Sequence, residues 1–424
     1  MDGQNQPESS PITSSTYRPQ SLKTAVAYLS RKNLRHNATL LKNCCSPSVK
    51  FCAMVKADAY GHDAHTVVTV LNDGPADSFA VASLEEAADI SPFVAGKDIL
   101  ITPPLYADIP PELIRLAQAR SFHGTICSLN ALDYVKQFLD PEASPLNLHL
   151  KIDTGMGRLG CDETEARRII GALKQSPLFN LAGVFTHFAT ADEPDLTFAY
   201  QQLHNFQNFL TRSGLERNPS VIKHAANTAA TLRIRAAHFD MVRCGIGLYG
   251  YTNFQPSAVP PTSYRQIPNS RAPSINSQSL VPNPQPSTCN YDLRPVLKVQ
   301  APVVQVKTLK KGCSCGYGRT FIAQRDCVIG IVTFGYADGL FCRLSNLACM
   351  RYGAYNLPII GRVSMDMTAL DLTHLPDPVE GMMVTVIDDD PDSPCSAFNL
   401  AQLADTHPYE ILTALGSRIK RTLE

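Results

Sequence analysis

Short apolar runs rich in β-branched residues recur between residues 50 and 250, and amphipathic stretches of helical length separate them. In one such stretch, Asp162–Lys174, apolar residues repeat at helical spacing behind an aspartate suited to cap the helix N-terminus. The eight apolar runs are Phe51–Lys56, Ser78–Ser83, Asp98–Thr102, Phe122–Cys127, Leu146–Asp153, Leu181–His187, Ser220–His224 and Met241–Leu248. Strands that alternate with helices imply parallel pairing through right-handed crossovers, and eight units favour a closed (β/α)₈ TIM barrel over an open sheet.

The pattern changes after residue 251. Residues 252–293 are rich in Pro, Ser, Asn and Gln, which predicts a linker or an insertion. From residue 294 to 424 a mainly β C-terminal domain is predicted, with Ser396–Arg421 partly helical. Its predicted strands are Leu297–Val306, Cys327–Phe334, Pro358–Val363, Met367–Leu372 and Met382–Ile387.

The N-terminal region divides into two parts. Residues 1–16 are rich in Ser, Pro, Gln and Thr and are predicted to form a disordered tail. Residues 17–251 are assigned to the barrel, with pairing of the first segment, 17–32, to the β domain as the alternative. The tail has neither a basic start nor an apolar core, so a secretory signal is not predicted and a cytoplasmic protein is expected.

Composition narrows the class of partner. The 424 residues include 38 Lys+Arg against 38 Asp+Glu without a long basic run, so a small molecule is favoured over nucleic acid or an anionic membrane. The most apolar stretches, such as Cys327–Phe334, are far shorter than the roughly 18 residues that a membrane span needs. The 13 cysteines are scattered, which predicts reduced thiols. Cys313 and Cys315 lack the second half of a zinc site, so no metal site is predicted.

Polar residues stand at or near the ends of five predicted barrel strands: Lys56, Asp153, His187, His224 and Arg243. Barrel active sites lie at the C-terminal ends of the strands, so five such residues on one rim predict a site. Taken singly, each is equally well a hydrogen-bonded rim residue, and Lys56 is equally well a lysine whose stem packs along the strand while its amine stays in water. A buried Lys56 would instead have a lowered pKa and a nucleophilic amine, as Schiff-base chemistry requires.

A series of motifs runs in order from about Tyr17 to Arg421. They are VKADAYGH at Val55–His62, KIDTGMGRLG at Lys151–Gly160, THFATAD at Thr186–Asp192, HAANTAA at His224–Ala230, VRCGIGLYG at Val242–Gly250, GYGRTF at Gly316–Phe321, GYADG at 335–339, GRVSMD at Gly361–Asp366 and YEILT at Tyr409–Thr413. Through this ordered set the chain resembles the alanine racemases, pyridoxal-phosphate enzymes with an N-terminal (β/α)₈ barrel and a C-terminal β domain. Each motif alone is weak evidence for this resemblance, whereas the ordered set is strong evidence.

The resemblance implies that Lys56 holds the cofactor as a Schiff base and then acts as one of two catalytic bases, with Tyr317 as the other. Racemisation removes a proton from one face of Cα and returns one to the other face, so it needs two opposed groups. Unperturbed Lys and Tyr side chains both have a pKa near ~10, so cationic neighbours must shift both. In the family, His187 lies between the tyrosine and Arg243. The alternative for Tyr317 is a turn tyrosine that packs its ring.

The resemblance also implies that Arg243 faces the pyridine nitrogen of the cofactor. A guanidinium only donates, so this nitrogen would remain an unprotonated acceptor and the ring a weaker electron sink. That arrangement favours reprotonation at Cα, and therefore a racemase over the related decarboxylases. The alternative is an arginine in a salt bridge at the rim.

The remaining site residues are assigned by family position. Cofactor binding, chiefly of the phosphate, is expected from Tyr60, Asn227, Thr228, Gly245, Ile246 and Tyr409, through hydroxyls, backbone amides and a helix start. Arg158 and the backbone of Met365 are expected to bind the substrate carboxylate. Lys151 either carries a carbamate that orients Arg158, as in several relatives, or is an unmodified rim lysine.

The family geometry implies a homodimer, in which the partner's β domain supplies Tyr317, Met365 and Asp366 while Tyr336 lines the entrance. The expected reaction is interconversion of L- and D-alanine for peptidoglycan synthesis. The alternatives are racemisation of serine or basic amino acids, decarboxylation on the same scaffold, and a non-catalytic pyridoxal-phosphate carrier.

Overall fold

The computed structural model of the chain describes residues 24–252, 254 and 291–424. The predicted tail 1–16, and nearly all of the predicted linker 252–293, lie outside these described residues. Eight parallel strands close into a barrel, because the first of them pairs with both the second and the last. They are β2 (Lys50–Met54), β3 (Ser78–Val81), β4 (Asp98–Pro104), β5 (His123–Ile126), β6 (Leu146–Lys151), β7 (Phe179–Phe185), β8 (Ile222–His224) and β9 (Met241–Cys244). The TIM-barrel prediction is confirmed.

Helices precede the barrel strands and join them. They are α1 (Arg31–Asn43), α2 (Lys56–Gly61), α3 (Ala64–Asn72), α4 (Leu84–Ile90), α5 (Pro111–Ala119), α6 (Leu129–Lys136), α7 (Glu163–Gln175), α8 (Thr197–Ser213) and α9 (Thr228–Arg233). Helix α7 begins as predicted, since the Asp162 side chain accepts a 2.8 Å hydrogen bond from the Glu165 amide. Its buried face consists of Ala166, Ile169, Ile170 and Leu173, the repeat seen in the sequence.

Several barrel strands are shorter than the apolar runs that predicted them. β6 ends at Lys151 and not at Asp153, and β9 ends at Cys244 and not at Leu248. Beyond these points the chain turns along the rim, where Ile246–Tyr249 forms a 3₁₀ turn and no neighbouring strand continues the ladder. The apolar run continues past the end of β9 because the residues of this 3₁₀ turn are buried and pack against α1.

The C-terminal region forms a mainly β domain, as predicted. Its strands are β10 (Leu297–Leu309), β11 (Ser314–Cys315), β12 (Phe321–Ile322), β13 (Cys327–Val332), β14 (Cys349–Tyr352), β15 (Tyr355–Ile360), β16 (Thr368–Asp371), β17 (Met383–Ile387) and β18 (Lys420–Leu423), with α10 (Ala397–Ala404) and α11 (Pro408–Thr413). The order in the main sheet is β13-β16-β15-β14-β17-β10-β1-β18, where β1 is Val26–Leu29.

The segment before the barrel therefore belongs to the second domain. β1 pairs antiparallel with β10 and parallel with β18, so both ends of the described chain lie in the C-terminal sheet. The two domains share one continuous hydrophobic core. No helix among the described residues is long and apolar enough to cross a membrane. The cysteines of the described ranges are free thiols.

Candidate active site

Lys56 lies two residues after the end of β2, and a left-handed turn begins at this lysine. Residues 57–60 have φ between 51° and 56°, the left-handed region, although none of them is glycine. Such residues cost about 1–2 kcal/mol each, so contacts outside the turn must hold it. The Glu86 carboxylate is one such contact, because it accepts hydrogen bonds from the amides of Ala57 (2.8 Å) and Ala82 (2.6 Å). Residues 57–61 are called the left-handed turn below.

The electrostatic environment of Lys56 favours its neutral form. Partial burial lowers the pKa of the amine, the positive charge of Arg158 lowers it further, and Glu86 opposes both effects. A lysine with a lowered pKa has a larger fraction of nucleophilic amine near neutrality. The pKa of Lys56 is therefore shifted in the direction that Schiff-base chemistry requires.

Arg243 in β9 is buried and surrounded by acceptors. It donates from Nη1 to Nδ1 of His224 (2.7 Å), and from Nη2 to the carbonyl oxygens of Thr186 (2.9 Å) and Ala225 (3.1 Å). Nδ1 of His187 lies 3.4 Å from Nη2. Burial lowers the pKa of the guanidinium to about 10, so it remains a cation at neutral pH. Among the ion pairs of the described residues none involves Arg243, which is not the salt-bridged rim arginine of the alternative hypothesis.

Lys151, at the end of β6, lies beside the same cation. The Lys151 Nζ atom is 5.2 Å from the centroid of the Phe185 ring, and the Arg243 Cζ atom is 5.0 Å from it. Burial, then Arg243 and Arg158, lower the pKa of Lys151 to about 8. The basic side chains of Lys151, Arg243 and Arg158 thus lie near one another. Within the described ranges no carboxylate forms an ion pair with Lys151.

A ring of polar groups lies where β8 and β9 end. The Thr228 hydroxyl oxygen accepts hydrogen bonds from the amides of Gly245 (3.1 Å) and Gly247 (3.3 Å), and it stands at the start of α9. Asn227 caps this helix by accepting from the Ala230 amide. The buried Ile246 begins the 3₁₀ turn that follows Gly245. Backbone amides, a hydroxyl and a helix start at one point suit an anion such as phosphate.

Two tyrosines complete this ring. The Tyr60 and Tyr409 ring centroids are 5.9 Å apart, and a Cβ on Gly245 would lie 2.3 Å from the Tyr60 hydroxyl oxygen, so a glycine is required there. Burial raises the pKa of both phenols above its usual value. Both hydroxyls are therefore neutral and can donate hydrogen bonds to a phosphate. We call Tyr60, Thr228, Gly245, Ile246 and Tyr409 the anion cradle.

Arg158 lies on the loop after β6 and is exposed. The Asp153 carboxylate holds this loop, since its Oδ1 accepts hydrogen bonds from the amides of Gly155 (2.9 Å) and Gly157 (3.2 Å). Asp153 was predicted among the polar residues of the rim, and in the structure it organises the loop that carries Arg158. Within the part of the chain that the structure describes, no ion pair involves the Arg158 guanidinium.

Apart from Tyr409, the predicted site residues of the C-terminal domain face outward in the single chain. The side chains of Tyr317, Met365 and Tyr336 are 71%, 53% and 46% exposed. Asp366 accepts a 2.8 Å hydrogen bond from Arg418, whose guanidinium also binds Asp338. The structure thus assembles the predicted groups of the barrel, whereas Tyr317, Tyr336, Met365 and Asp366 lie on the surface of the chain.

Comparison with known proteins decides the family. The model of the alanine racemase N-terminal domain matches residues 29–253, and that of the C-terminal domain matches residues 296–423. The chain belongs to the alanine racemase family. It is thus an isomerase of the racemase class.

Individual relatives agree over nearly the whole chain. The alanine racemase of Synechocystis sp. is 32% identical over 394 residues, 92% of this chain and 96% of the relative. The crystal structure of biosynthetic alanine racemase from Pseudomonas aeruginosa has a TM-score of 0.77 at 32% identity, covering 95% of this chain and all of that one. The structure of alanine racemase from Bacillus anthracis with bound L-Ala-P has a TM-score of 0.79 at 28% identity, covering 95% of each chain.

Some residues that shape the site were not identified from the sequence. Glu86 and Arg421 hold the left-handed turn from outside, and His123 and His149 lie inside the barrel in line with His224. Of these residues, only the histidines could have been noticed in the sequence, because each falls within an apolar strand, where a polar residue is unusual. The sequence around Glu86 and Arg421 has the pattern of an ordinary surface segment, so it does not mark either residue.

Proposed function

We propose that the chain interconverts L- and D-alanine with pyridoxal 5'-phosphate as cofactor. The observation that carries the proposal is Lys56, an amine of lowered pKa on the same barrel rim as the donor-only Arg243 and the anion cradle. Family membership gives the reaction class, and the named relatives act on alanine. The residues present fit the cofactor, because the cradle suits its phosphate and Lys56 suits its aldehyde. When bound, the cofactor supplies an electrophilic carbonyl and a conjugated ring that acidifies the Cα proton of an attached amino acid.

In this proposal the steps of the reaction are divided among the named side chains. Lys56 anchors the cofactor and afterwards exchanges a proton with Cα on one face. Tyr317 of a second copy exchanges a proton on the other face. Arg243 donates to the pyridine nitrogen and keeps it unprotonated, which limits electron withdrawal and disfavours decarboxylation. Arg158 and the Met365 backbone bind the substrate carboxylate.

The exposure of Tyr317 and Met365 supports a homodimer with shared sites. Both side chains are more than half exposed in the single chain, so both are accessible to a second copy. In the proposed dimer Tyr317 reaches the His187 side of the site, while Tyr336 and Asp366 line the entrance. Production of D-alanine for peptidoglycan, in the cytoplasm, is the proposed role.

The proposal includes a carbamate on Lys151. A protonated amine there would repel Arg158 and Arg243, whereas a carbamate would attract both. A pKa of about 8 provides neutral amine, which adds to CO₂ with loss of one proton. The modification would hold Arg158 toward the substrate.

A direct assay tests the proposal. Purified protein loaded with pyridoxal phosphate is incubated with L-alanine and D-alanine is followed, alongside CO₂ release from basic amino acids. We expect racemisation without CO₂. Lys56→Ala should lower kcat by about 10³-fold or more, as for loss of a positioned base, and should abolish borohydride trapping of the cofactor. Lys174→Ala, which removes an exposed lysine of α7, is the matched control. Covalent trapping that persists in Lys56→Ala would contradict the assignment.

A further inference from the structure

A line of histidines connects Arg243 to the opposite end of the barrel. His224 Nε2 lies 2.8 Å from His149 Nδ1, and His149 Nε2 lies 3.0 Å from His123 Nδ1. His123 Nε2 lies 3.6 Å from Oδ1 of Asp98, an ion-pair distance longer than a hydrogen bond. This series of contacts runs from Asp98, the first residue of β4, to Arg243 in β9. We call His123, His149 and His224 the histidine line.

The fold makes room for this line. His149 and His224 are 1% and 0% exposed and His123 is 8% exposed, so the three imidazoles lie in the barrel interior. A Cβ on Gly183 would lie 2.3 Å from His149 Nδ1, so glycine is the residue that admits this ring. The Phe185 ring stacks on His224 at 4.7 Å with an interplanar angle of 9°. Each ring has its place set by the packing around it.

Arg243 determines the direction of every hydrogen bond in the line. A guanidinium has no acceptor, so His224 Nδ1 must accept and the proton of a neutral His224 must sit on Nε2. His224 then donates to His149 Nδ1, and His149 donates from Nε2 to His123 Nδ1. The remaining proton, on His123 Nε2, points at the Asp98 carboxylate. The tautomer of His224 therefore fixes the tautomers of His149 and His123.

The imidazoles are neutral. Burial lowers the pKa of all three, and the positive charges of Arg243 and Lys50 add to the effect at His149. The basic side chains of Lys50 and Lys151 also act on the histidine line, and the Asp98 carboxylate raises the pKa of His123. Neutral rings in a single orientation present their acceptor ends toward Arg243 and their N–H ends toward Asp98. Hydrogen bonds aligned in this way polarise one another.

We propose that Asp98 and His123 are positioning residues for Arg243, acting through a one-way chain of hydrogen bonds along the histidine line. The negative charge of Asp98 makes each ring a better acceptor, and the last of them, His224, holds the buried guanidinium in place through its acceptor Nδ1. Arg243 thereby keeps a fixed direction toward the cofactor nitrogen. This last step rests on the proposed function, whereas the hydrogen-bond chain does not.

Nitrogen NMR of ¹⁵N-histidine-labelled protein tests the chain itself. In the cofactor-loaded wild type we expect His123, His149 and His224 to be neutral with the proton on Nε2, with signals assigned from single His→Gln variants. A proton on Nδ1, or on both nitrogens, of His149 or His224 would overturn the proposal. A wild type with these tautomers but no racemisation would instead contradict the proposed function alone.

Variants test the link to Arg243. His123→Met cannot accept from His149 or donate to Asp98, whereas His123→Gln can do both. Asp98→Asn keeps an acceptor and removes the charge, at a side chain that is 53% exposed and tolerant of change. We expect His123→Met, which loses a hydrogen bond, and Asp98→Asn, which loses a charge, each to lower kcat about three- to tenfold with KM little changed, and to shift the His224 ¹⁵N signals and the cofactor absorbance. His123→Gln should restore both readouts.

A merely structural role predicts a different result. In that case His123→Met would lower the unfolding midpoint without moving the His224 signals, and Asp98→Asn would change nothing, which would overturn the proposal. Should His123→Met fail to fold, Asp98→Asn decides, because its expected effects on the His224 signals and on kcat do not depend on a repacked core.

Discussion

Arg421 in β18 donates two hydrogen bonds of 3.3 Å to the carbonyl oxygen of Gly61, the last residue of the left-handed turn that follows Lys56. The same guanidinium also binds the carbonyl oxygens of Leu415, Gly416 and Ile419. The contact is close, since a Cβ on Gly61 would lie 2.3 Å from the Leu412 carbonyl oxygen. The C-terminal domain therefore holds the backbone that presents Lys56.

Replacing Arg421 should loosen this turn. In Arg421→Met the carbonyl of Gly61 loses a charged donor, and we expect a loss of about 1.5–3 kcal/mol in the free energy of unfolding, typical of hydrogen bonds to charged groups. Cofactor should also dissociate faster. Urea unfolding and the decay of cofactor absorbance on dilution measure the two effects. Arg168→Met, which removes an exposed arginine of α7, should change neither. Unaltered cofactor retention in Arg421→Met would contradict the inference.

The left-handed turn also stores strain that one substitution can relieve. Ala57 has φ 51° and an exposed side chain, while its amide bond to Glu86 does not depend on the methyl group. Glycine adopts this conformation freely, so Ala57→Gly should raise the free energy of unfolding by about 0.5–1 kcal/mol after its larger unfolded-state entropy is counted. Ala172→Gly, in the right-handed helix α7, should lower it by about 1 kcal/mol. If urea unfolding showed that Ala57→Gly and Ala172→Gly change the free energy of unfolding in the same direction, the strain in the turn would be contradicted.

Lys151 should make stability depend on pH when no carbamate is present. Its pKa falls from 10.5 in the unfolded chain to about 8 on folding, so between these values the unfolded state binds the extra proton. The free energy of unfolding contributed by this group therefore rises from pH 8 to 10.5, by roughly 3 kcal/mol at most, and the penalty is complete below pH 8. In CO₂-depleted buffer, Lys151→Met should be more stable than wild type at pH 7, with a difference that shrinks by pH 10.

Bicarbonate provides the second half of that experiment. If Lys151 takes up CO₂, ¹³C-labelled bicarbonate should give a carbamate ¹³C signal in wild type and none in Lys151→Met. Racemase activity of the wild type should rise with bicarbonate, because a negative group then faces Arg158. Equal activity with and without CO₂ would leave Lys151 as an unmodified rim lysine.

Shared sites predict complementation between two inactive variants. Lys56→Ala and Tyr317→Phe, co-expressed in equal amounts, should form mixed dimers in which one site has both residues intact. With random pairing, about a quarter of all sites are intact, so activity should recover to about a quarter of wild type. Each variant alone is the control. Absence of recovery, with mixed dimers shown by affinity tags, would place Tyr317 and Lys56 in the same chain's site or outside it.

The barrel was predictable because its evidence is local. A parallel strand buried on both faces appears as a short apolar run, and an amphipathic helix has its own period, so the eight strand units and the cap at Asp162 could be found without any long-range information. Strands β1 and β18 were harder to find, since both are only four residues long and several of their residues are incompletely buried. The place of Val26–Leu29 in the sheet of the second domain depends on pairing partners about 270 and 390 residues further along the chain.

The candidate site divides in the same way. The residue types and their order along the chain determined the family, and with it Lys56, Arg243, Tyr317 and Arg158 as candidates. The tertiary structure decided what acts on them: Arg421 reaching back to Gly61, and three imidazoles joining Asp98 to Arg243. Sequence periodicity encodes which face of an element is buried. It carries no information about which distant side chains meet there, because such contacts are set by strand register and barrel closure.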